Sequence, residues 1–300
     1  MFNITLIITI FQKLRRNLFS NLPNTIISFS FIFIISLACV KTFGWLIFKA
    51  NWEVVTSNLP LYAFGSFPPN EQWRPTIWII SLFSLSLITL FGPEWKWLRK
   101  NLLITWVSTI PLGLYLLYGG FGLSPIMSRH WGGLTLTILL TVCSLLLSLP
   151  LGIVLALCRQ SSLPLIKKLS SIYIDVMRAV PLIAVLFFGQ LLIPLFLPAG
   201  MEIDRVWRAI LAFTLFVSAY IAEDIRGGLQ AIPNTQIEAA NSLGLHQYQI
   251  IQFILIPQAL RIALPALTNQ SIGLFQNTSL MAILGLVELL GVGRSILANP

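Results

Sequence analysis

Residues 232–257 carry polar side chains between two apolar stretches of this sequence, and the types and spacing of these residues predict a short helix. Thr235 and Glu238 have the spacing of a capping box, in which each side chain accepts a hydrogen bond from the backbone N–H of the other residue. Gly244 follows at the point where the helix would stop, because glycine readily adopts the left-handed conformation found after helix ends. The segment is therefore predicted to turn sharply at Gly244.

A second short helix is predicted from His246 until Pro257 ends it and the next apolar stretch begins. Its spacing places three apolar side chains on one face, those of Ile250, Phe253 and Ile254. The chemistry that two amphipathic helices meeting at a glycine can perform is noncovalent docking of a partner. An ordinary amphipathic loop between membrane spans has the same pattern, so the residues alone leave both interpretations open.

The composition requires a membrane. The 300 residues are 56% hydrophobic and 10% charged, with a mean hydropathy of +0.85, whereas soluble domains carry roughly 25% charged residues. Apolar stretches of about 20 residues, enough for a helix to cross ~30 Å of hydrocarbon, recur without strand-like alternation. We therefore predict an all-α integral membrane protein, a polytopic helical bundle of about 7–8 spans. The predicted spans are 24–48, 76–92, 102–121, 132–157, 173–197, 207–230 and 258–276, followed by a glycine-broken half-helix or re-entrant segment over 277–297.

The distribution of Lys and Arg orients these spans. With the N-terminus inside, 12 of the 19 basic residues fall on the cytoplasmic side and 7 near the outer face, as the positive-inside rule requires. The 12 are Lys13, Arg15, Arg16, Lys96, Arg99, Lys100, Arg159, Lys167, Lys168, Arg178, Arg226 and Arg261. Anionic lipid headgroups account for the net charge of +9 without nucleic acid. Met1–Phe11 is predicted to be an interfacial segment that stays attached to the chain.

Catalytic and metal-binding patterns are missing from the sequence. His130 and His246 fall on opposite sides of the membrane in this topology, and neither has further metal ligands or a nucleophile motif nearby. Cys39, Cys143 and Cys158 are too far apart in sequence for a zinc or disulfide pattern. No GxxxxGK[ST] phosphate loop occurs. We expect neither an enzyme nor a metal site, and any ATP hydrolysis would have to come from another protein.

From Trp131 onward, prolines enter the apolar segments, at Pro150, Pro181, Pro194, Pro257 and Pro265. Each proline lacks a donor and would loosen its helix. Carbonyls freed within a membrane need protein or water as partners, so such breaks suit either a transport pathway or ordinary kinked helices. The chain is accordingly divided into residues 1–130, with about three spans and an outer loop, and residues 131–300.

The stretch "EAANSLGLHQYQIIQFILIP" resembles the EAA signature of binding-protein-dependent ABC transporter permeases. The residues at the required spacings are Glu238, Ala239, Ala240, Gly244, Ile254 and Pro257, with Ile256 in place of the usual leucine. The segments "DVMRAVPLIAVLF", "SAYIAEDIRGGLQAIP" and "LPALTNQSIGLFQNTSL" are similar to those of the polar and general amino-acid branch. The resemblance extends over residues 131–290.

The sequence departs from this family at several positions. Ala179 replaces a glycine, and Gln276 and Asn277 stand where many relatives have Lys and Asp. The chain also stops at "GVGRSILANP", before one more span that the family usually has.

The resemblance implies a permease core of the type I ABC importer kind over residues 131–300, with 232–257 as its cytoplasmic coupling loop, and an accessory transmembrane region over 1–130. Such a subunit would lie in a bacterial inner membrane and import polar or broad-range L-amino acids by alternating access. Its implied partners are ATPase subunits that bind the ATP and Mg, an outer binding protein, and a second, related permease chain in a heterodimer. In the coupling loop, Glu238 would be a polar anchor, Ala239 and Ala240 would permit close approach, and Gly244 would set the angle between the helices.

An amino acid crossing this bundle would need dipoles or charges aimed at its carboxylate and ammonium groups. The predicted pathway residues are Arg178, Pro181, Gln190, Asn269, Asn277, Thr278, Ser279 and Glu288. Asp175 and Arg178 also have the spacing of a simple ion pair, and Glu223, Asp224 and Arg226 are predicted to have a structural role near the inner end of their span.

Two other functions fit a polytopic helical protein. An ion-gradient-driven secondary amino-acid transporter would also have broken helices, but neither an inverted repeat nor ionisable groups at mid-membrane depth are found here. A non-transporting scaffold could use the 235–256 segment to recruit a cytoplasmic partner.

Overall fold

The computed structural model describes Lys13 and residues 16–92, 96–198 and 200–298, so the segment predicted at Met1–Phe11 lies outside the described residues. Within the described part the protein is helical, with two isolated β-bridges and no strand. The α-helices are α1 Leu22–Phe48, α2 Glu53–Thr56, α3 Leu59–Phe64, α4 Trp73–Phe91, α5 Lys96–Tyr118, α6 Gly133–Arg159, α7 Pro164–Ala179, α8 Leu182–Phe187, α9 Arg205–Gln230, α10 Asn234–Ser242, α11 Gln247–Gln249, α12 Ile256–Asn277 and α13 Leu289–Ala298. Shorter 3₁₀ turns cover Pro69–Glu71, Ser128–His130, Ile193–Phe196 and Thr278–Leu284, and π turns cover Phe188–Leu192 and Ile250–Leu255.

The chain divides into two compact units, Met1–Asn58 and Leu59–Pro300. The first contains α1, which begins where the side chain of Asn21 accepts a hydrogen bond from the N–H of Asn24 over 3.0 Å. No residue of α1 is buried, and the helix is apolar around its whole circumference. Such a helix suits contact with lipid on every side.

In the second unit, α4 and α5 pack against each other. The buried indole of Trp78 donates a hydrogen bond to the carbonyl of Thr109 over 2.9 Å. A Cβ at Gly113 would lie 2.4 Å from the Trp78 ring, so only glycine permits this contact. The apolar ring of Trp78 is thus packed where the two helices meet, and its single polar atom has a hydrogen-bond partner there.

The centre of the second unit is α9, which packs against α6, α7 and α12 and is the most buried of the candidate spans. Two glycines allow the close crossings. A Cβ at Gly152 of α6 would lie 2.4 Å from Cγ2 of Ile221, and one at Gly228 would lie 2.4 Å from the carbonyl oxygen of Ala259 in α12. Small residues at helix contacts are the usual means of close packing in membranes.

Six helical segments in the described part are long and apolar enough to cross a membrane, or seven if one bent pair forms a single span. Single helices cover most of the predicted spans, although α5 ends at Tyr118, before the predicted limit of residue 121. The continuous span predicted over 173–197 is wrong. There α7 ends at Ala179, and the helical run that follows, Leu182–Phe196, departs at 105°.

The cause of this break is Pro181. Val180, which precedes it, has φ −86° and ψ 136°, and Pro181 itself has φ −60° and ψ 135°. A residue before proline is driven out of the α region, and proline supplies no N–H to continue the helix. By contrast, α6 and α12 continue through Pro150 and Pro265.

The apolar region 277–297 is broken as its glycines suggested. A 3₁₀ turn ends at Gly285, which has φ +80°, and α13 follows after a short extended stretch. The N–H of Gly133 donates to the carbonyl of Val287 over 3.1 Å, which ties this break to the start of α6.

Candidate functional site

The predicted docking segment forms two helices that meet at Gly244. The backbone of Gly244 has φ +74°, and its N–H donates to the carbonyl of Asn241 over 2.9 Å. The N–H of Leu245 reaches back to the carbonyl of Ala240 over 3.2 Å. These two bonds form a Schellman motif, in which a left-handed residue ends the helix. The sharp turn predicted at this glycine is confirmed.

The capping box predicted for Thr235 and Glu238 is wrong. The N-cap of α10 is Pro233, without a side-chain bond, and Thr235 lies inside the helix, where its hydroxyl is not at the capping position. A reciprocal cap occurs instead at the second helix, where His246 and Gln249 each accept a backbone N–H of the other. The N–H of His246 donates to Oε1 of Gln249 over 2.9 Å.

The prediction that Pro257 ends the second helix is also wrong. A π turn over Ile250–Leu255 joins α11 to α12, and helical structure runs from Gln247 to Leu284 without interruption. The wider π turn accommodates a proline that has no N–H to donate and crowds the preceding carbonyls. The second helix of the docking segment and the next membrane span are therefore one continuous helical rod.

The predicted apolar face of the second helix divides into buried and exposed parts. Ile250 is fully buried, whereas Phe253 is 66% exposed, because the π turn changes the angular spacing of the side chains. Leu243 and Tyr248 are 80% and 71% exposed. These three exposed apolar side chains lie on both sides of the Gly244 turn, and we call them together the docking surface.

The residues of the EAA signature are also partly exposed and partly buried. Glu238 and Ala239 are exposed on α10, while Ala240 is 2% exposed and packs inward. Ile254 is half-buried and Pro257 is exposed. Ala240 thus anchors α10, and the surface beside it offers a carboxylate, a small side chain and large apolar groups to a partner.

A second feature is an open cavity of about 680 Å³ where α12, the 3₁₀ turn after it and α13 meet α3 and α6, which we call the pathway cavity. It brings together three of the predicted pathway residues, Thr278, Ser279 and Glu288. The remaining lining residues are Tyr62, Thr137, Phe275, Gln276, Leu289, Leu290 and Gly293. Hydroxyl, amide and carboxylate groups on an otherwise apolar wall could orient a small polar solute.

Glu288 is only 2% exposed, and its carboxylate is already used by the fold. Its oxygens accept the N–H groups of Leu290 and Gly291, each over 2.8 Å, at the start of α13. The hydroxyl of Thr278 donates to the carbonyl of Phe275 over 2.8 Å. Both side chains therefore shape the cavity wall as well as facing it.

The other predicted pathway residues do not line this cavity. Asn269 and Asn277 are exposed on α12, and Pro181 lies at the α7 break. Gln190 is buried in the π turn after α8, where its amide donates to the carbonyl of Arg205 over 2.7 Å. Arg178 lies at the end of α7, with its guanidinium 5.7 Å from the ring of Tyr220.

An ionic cluster centred on Glu223 ties together α6, α7 and α9. Its carboxylate lies 3.0 Å from Arg159 of α6, 3.7 Å from Arg178 of α7 and 2.7 Å from Arg226 of α9. The simple pair predicted between Asp175 and Arg178 is not formed, because Asp175 pairs with Arg159 over 3.0 Å. Sequence spacing could reveal only the Glu223–Arg226 contact, since the other arginines come from different helices.

No three His, Cys, Asp or Glu side chains of the described residues are grouped closely enough to hold a metal ion. His130 forms a contact with Arg129 at 3.3 Å, and His246 serves as a helix cap.

Comparisons with known proteins show which family this chain is similar to. Residues 148–299 match the family described as "Binding-protein-dependent transport system inner membrane component". The chain is also similar to the "Inner membrane amino-acid ABC transporter permease protein YhdY" of Escherichia coli (strain K12), at 35% identity over 95% of this chain and 82% of that protein.

Two further relatives have related names. The "Glutamate/glutamine/aspartate/asparagine transport system permease protein BztC" of Rhodobacter capsulatus is 46% identical over 80% of this chain and 68% of its own length. The "Probable glutamine ABC transporter permease protein GlnP" of Bacillus subtilis (strain 168) is 35% identical over 53% of this chain and 72% of its own length.

Proposed function

The chain belongs to the binding-protein-dependent transport system inner membrane component family, and from this premise we propose that it is the permease subunit of an ATP-driven ABC importer for polar or broad-range L-amino acids. It is a multi-pass protein of the inner membrane. Substrate passes from an outer binding protein to the cytoplasm by alternating access. The observation that carries this proposal is the docking surface, which is exposed and of which Tyr248 and Phe253 lie on the helical rod that continues into a membrane span.

The docking surface contacts an ATPase subunit. Its exposed apolar groups, Leu243, Tyr248 and Phe253, suit a groove on a partner, and such patches mark interaction sites. Because helical structure is unbroken from Gln247 to Leu284, a displacement of the docking surface moves the wall of the pathway cavity with it. ATP and Mg are bound and ATP is hydrolysed in the ATPase, and this chain has no catalytic role and no cofactor of its own.

A second permease chain covers α12. This helix exposes apolar residues such as Ile272 and also the amide side chains of Asn269 and Asn277. Amides facing hydrocarbon are unfavourable, whereas at a helix–helix contact they can form hydrogen bonds. We expect the partner to be a related chain, so that the importer is a heterodimer in the membrane, with residues 1–130 as an accessory region and 131–300 as the transport core.

The substrate passes through the pathway cavity. Ser279 and Gln276 offer hydrogen bonds, and the carboxylate of Glu288 attracts the ammonium group of an amino acid. Alternating access then requires the helical rod to swing between two arrangements, one open to each side.

Reconstitution tests this proposal. Proteoliposomes would contain this chain, a related permease, an ABC ATPase and a binding protein, and uptake of a panel of labelled amino acids would be measured. Uptake should require ATP, and leaving out either the ATPase or the binding protein should abolish it. Uptake driven by an ion gradient without ATP would contradict the proposal.

A further inference from the structure

A second cavity, of about 250 Å³, lies at the outer ends of α6 and α9, and we call it the outer-mouth cavity. The positive-inside orientation puts the starts of both helices on the outer side. The lining residues are Leu61, Gly65, Ser66, Ser128, Arg129, Trp131, Gly132, Arg205, Gly285, Leu286, Val287, Val292 and Ser295. The first seven lie outside the residues 148–299 that match the family, so half of this wall is contributed by sequence that precedes that match.

Close backbone contacts hold the walls of this cavity together. A Cβ at Gly65, which has φ +62°, would lie 2.4 Å from Cα of Gly132, so the two backbones touch. The hydroxyl of Ser128 is hydrogen-bonded to the carboxylate of Asp204. These contacts fix the loops before α4, α6 and α9, so the cavity is already formed before a solute binds.

The charge of the lining has one sign. Among the described lining residues, Arg129 and Arg205 are the charged members, and neither has a carboxylate within 4.0 Å among the described residues. Asp204, next to Arg205, already accepts the N–H of Val206 over 2.8 Å and the Ser128 hydroxyl. Trp131 is 5% exposed, and its buried indole Nε1 has no hydrogen-bond partner among the described residues. Nε of Arg129 donates to Nε2 of His130 over 3.3 Å, so the donors left for a solute are the other guanidinium N–H groups of the two arginines and the indole of Trp131.

We propose that the outer-mouth cavity binds the carboxylate of a small solute, held by the guanidinium groups of Arg129 and Arg205. Arginine matches a carboxylate with paired hydrogen bonds, and the volume is that of about eight waters, which suits a solute of amino-acid size. The proposal rests on the proposed function, because that solute is the import substrate. Val287 lines the outer-mouth cavity and Glu288 lines the pathway cavity, so the site immediately precedes the pathway.

The test is equilibrium binding of labelled L-glutamate to the assembled permease pair and ATPase in lipid nanodiscs, without binding protein. We expect Arg129→Gln and Arg205→Gln each to weaken binding about tenfold, since each removes charge-assisted hydrogen bonds. Arg205→Lys should retain part of the affinity. L-glutaminol, which has no carboxylate, should not compete with the labelled glutamate.

The matched control is Arg294→Gln, an exposed arginine that does not line the cavity, and it should bind as the wild type does. Wild-type binding by the Arg129→Gln/Arg205→Gln double variant, or no saturable binding by the wild type, would overturn the proposal. Docking of the binding protein to the same nanodiscs is measured separately. Unchanged glutamate binding together with weakened docking would also overturn the proposal, because the arginines would then recognise that protein.

Uptake by the same preparations separates this proposal from the proposed function. Glutamate binding that depends on the two arginines, without any ATP-driven uptake of amino acids by the wild type, would sink the importer function and leave the carboxylate site standing. If ATP-driven uptake and glutamate binding are the same in the double variant as in the wild type, the carboxylate site is contradicted and the importer function stands.

Discussion

At the scale of single residues, alanine substitutions at two adjacent glycines near the end of α9 are expected to have opposite effects on stability. A Cβ at Gly228 would lie 2.4 Å from the carbonyl oxygen of Ala259, while one at Gly227 would meet no atom within 4 Å. Gly228→Ala should destabilise the protein by about 1–3 kcal/mol through overpacking. Gly227→Ala should be neutral or stabilise it by up to ~1 kcal/mol, because alanine favours helix. Thermal unfolding in detergent measures both, and equal midpoints would contradict the close crossing of α9 and α12.

Glu288 allows its capping role to be separated from a role in transport. Glu288→Ala removes both hydrogen bonds at the start of α13 and should destabilise the protein by about 1 kcal/mol, as other lost caps do. Glu288→Gln keeps one acceptor oxygen but removes the charge that faces the pathway cavity. We expect Gln to preserve the unfolding midpoint better than Ala while lowering uptake. Full uptake by the Gln variant would show that the charge serves the fold alone.

The docking segment shows which single-residue features the sequence predicts well. Gly244 was predictable because few residues other than glycine accept a positive φ at a helix end. The Thr235–Glu238 box failed because α10 begins just after Pro233, at Asn234, which puts Thr235 beyond the capping position. His246 and Gln249 have the same spacing, but histidine is not an N-cap residue of the capping-box pattern, so that pattern does not predict the cap that forms.

At the scale of elements, Glu223 joins α6, α7 and α9. Its side chain is 11% exposed and accompanies three arginines. Glu223→Gln would leave these cations facing each other without a shared carboxylate, at a cost of roughly 2 kcal/mol. The unfolding midpoint should fall by several degrees, whereas Glu53→Gln, at an exposed carboxylate with no ion pair among the described residues, should leave it unchanged. An unaltered midpoint for Glu223→Gln would show that the cluster does not stabilise the fold.

Two connections between elements could not be deduced from hydropathy. The bend at Val180–Pro181 interrupts a stretch that is apolar enough to span, and hydropathy does not register backbone direction. At Pro257 the sequence predicted a helix end, but a π turn keeps the helix continuous there. Proline at such positions fixes local geometry but does not by itself choose between a break and a continuous helix.

At the scale of the whole molecule, composition was sufficient for the fold class, and the apolar stretches located most of the helices. The contacts between helices were not predictable, since they depend on which glycines meet which neighbours, as at Gly152 and Ile221. The pathway cavity gathered Thr278, Ser279 and Glu288, which are near one another in sequence. Arg178, Gln190 and Asn269 lie elsewhere because chain position alone does not fix the face on which a side chain points.

ATP-driven amino-acid uptake by Gly244 variants of the complete importer shows whether the Gly244 turn couples an ATPase to the membrane helices. Valine is strained at φ +74°, whereas asparagine tolerates that conformation, and open space surrounds the position. Gly244→Val should abolish uptake while the protein still inserts, with its stability lowered by no more than the ~1–3 kcal/mol of backbone strain, and Gly244→Asn should retain most uptake. Normal uptake by the valine variant would contradict the coupling role of the turn.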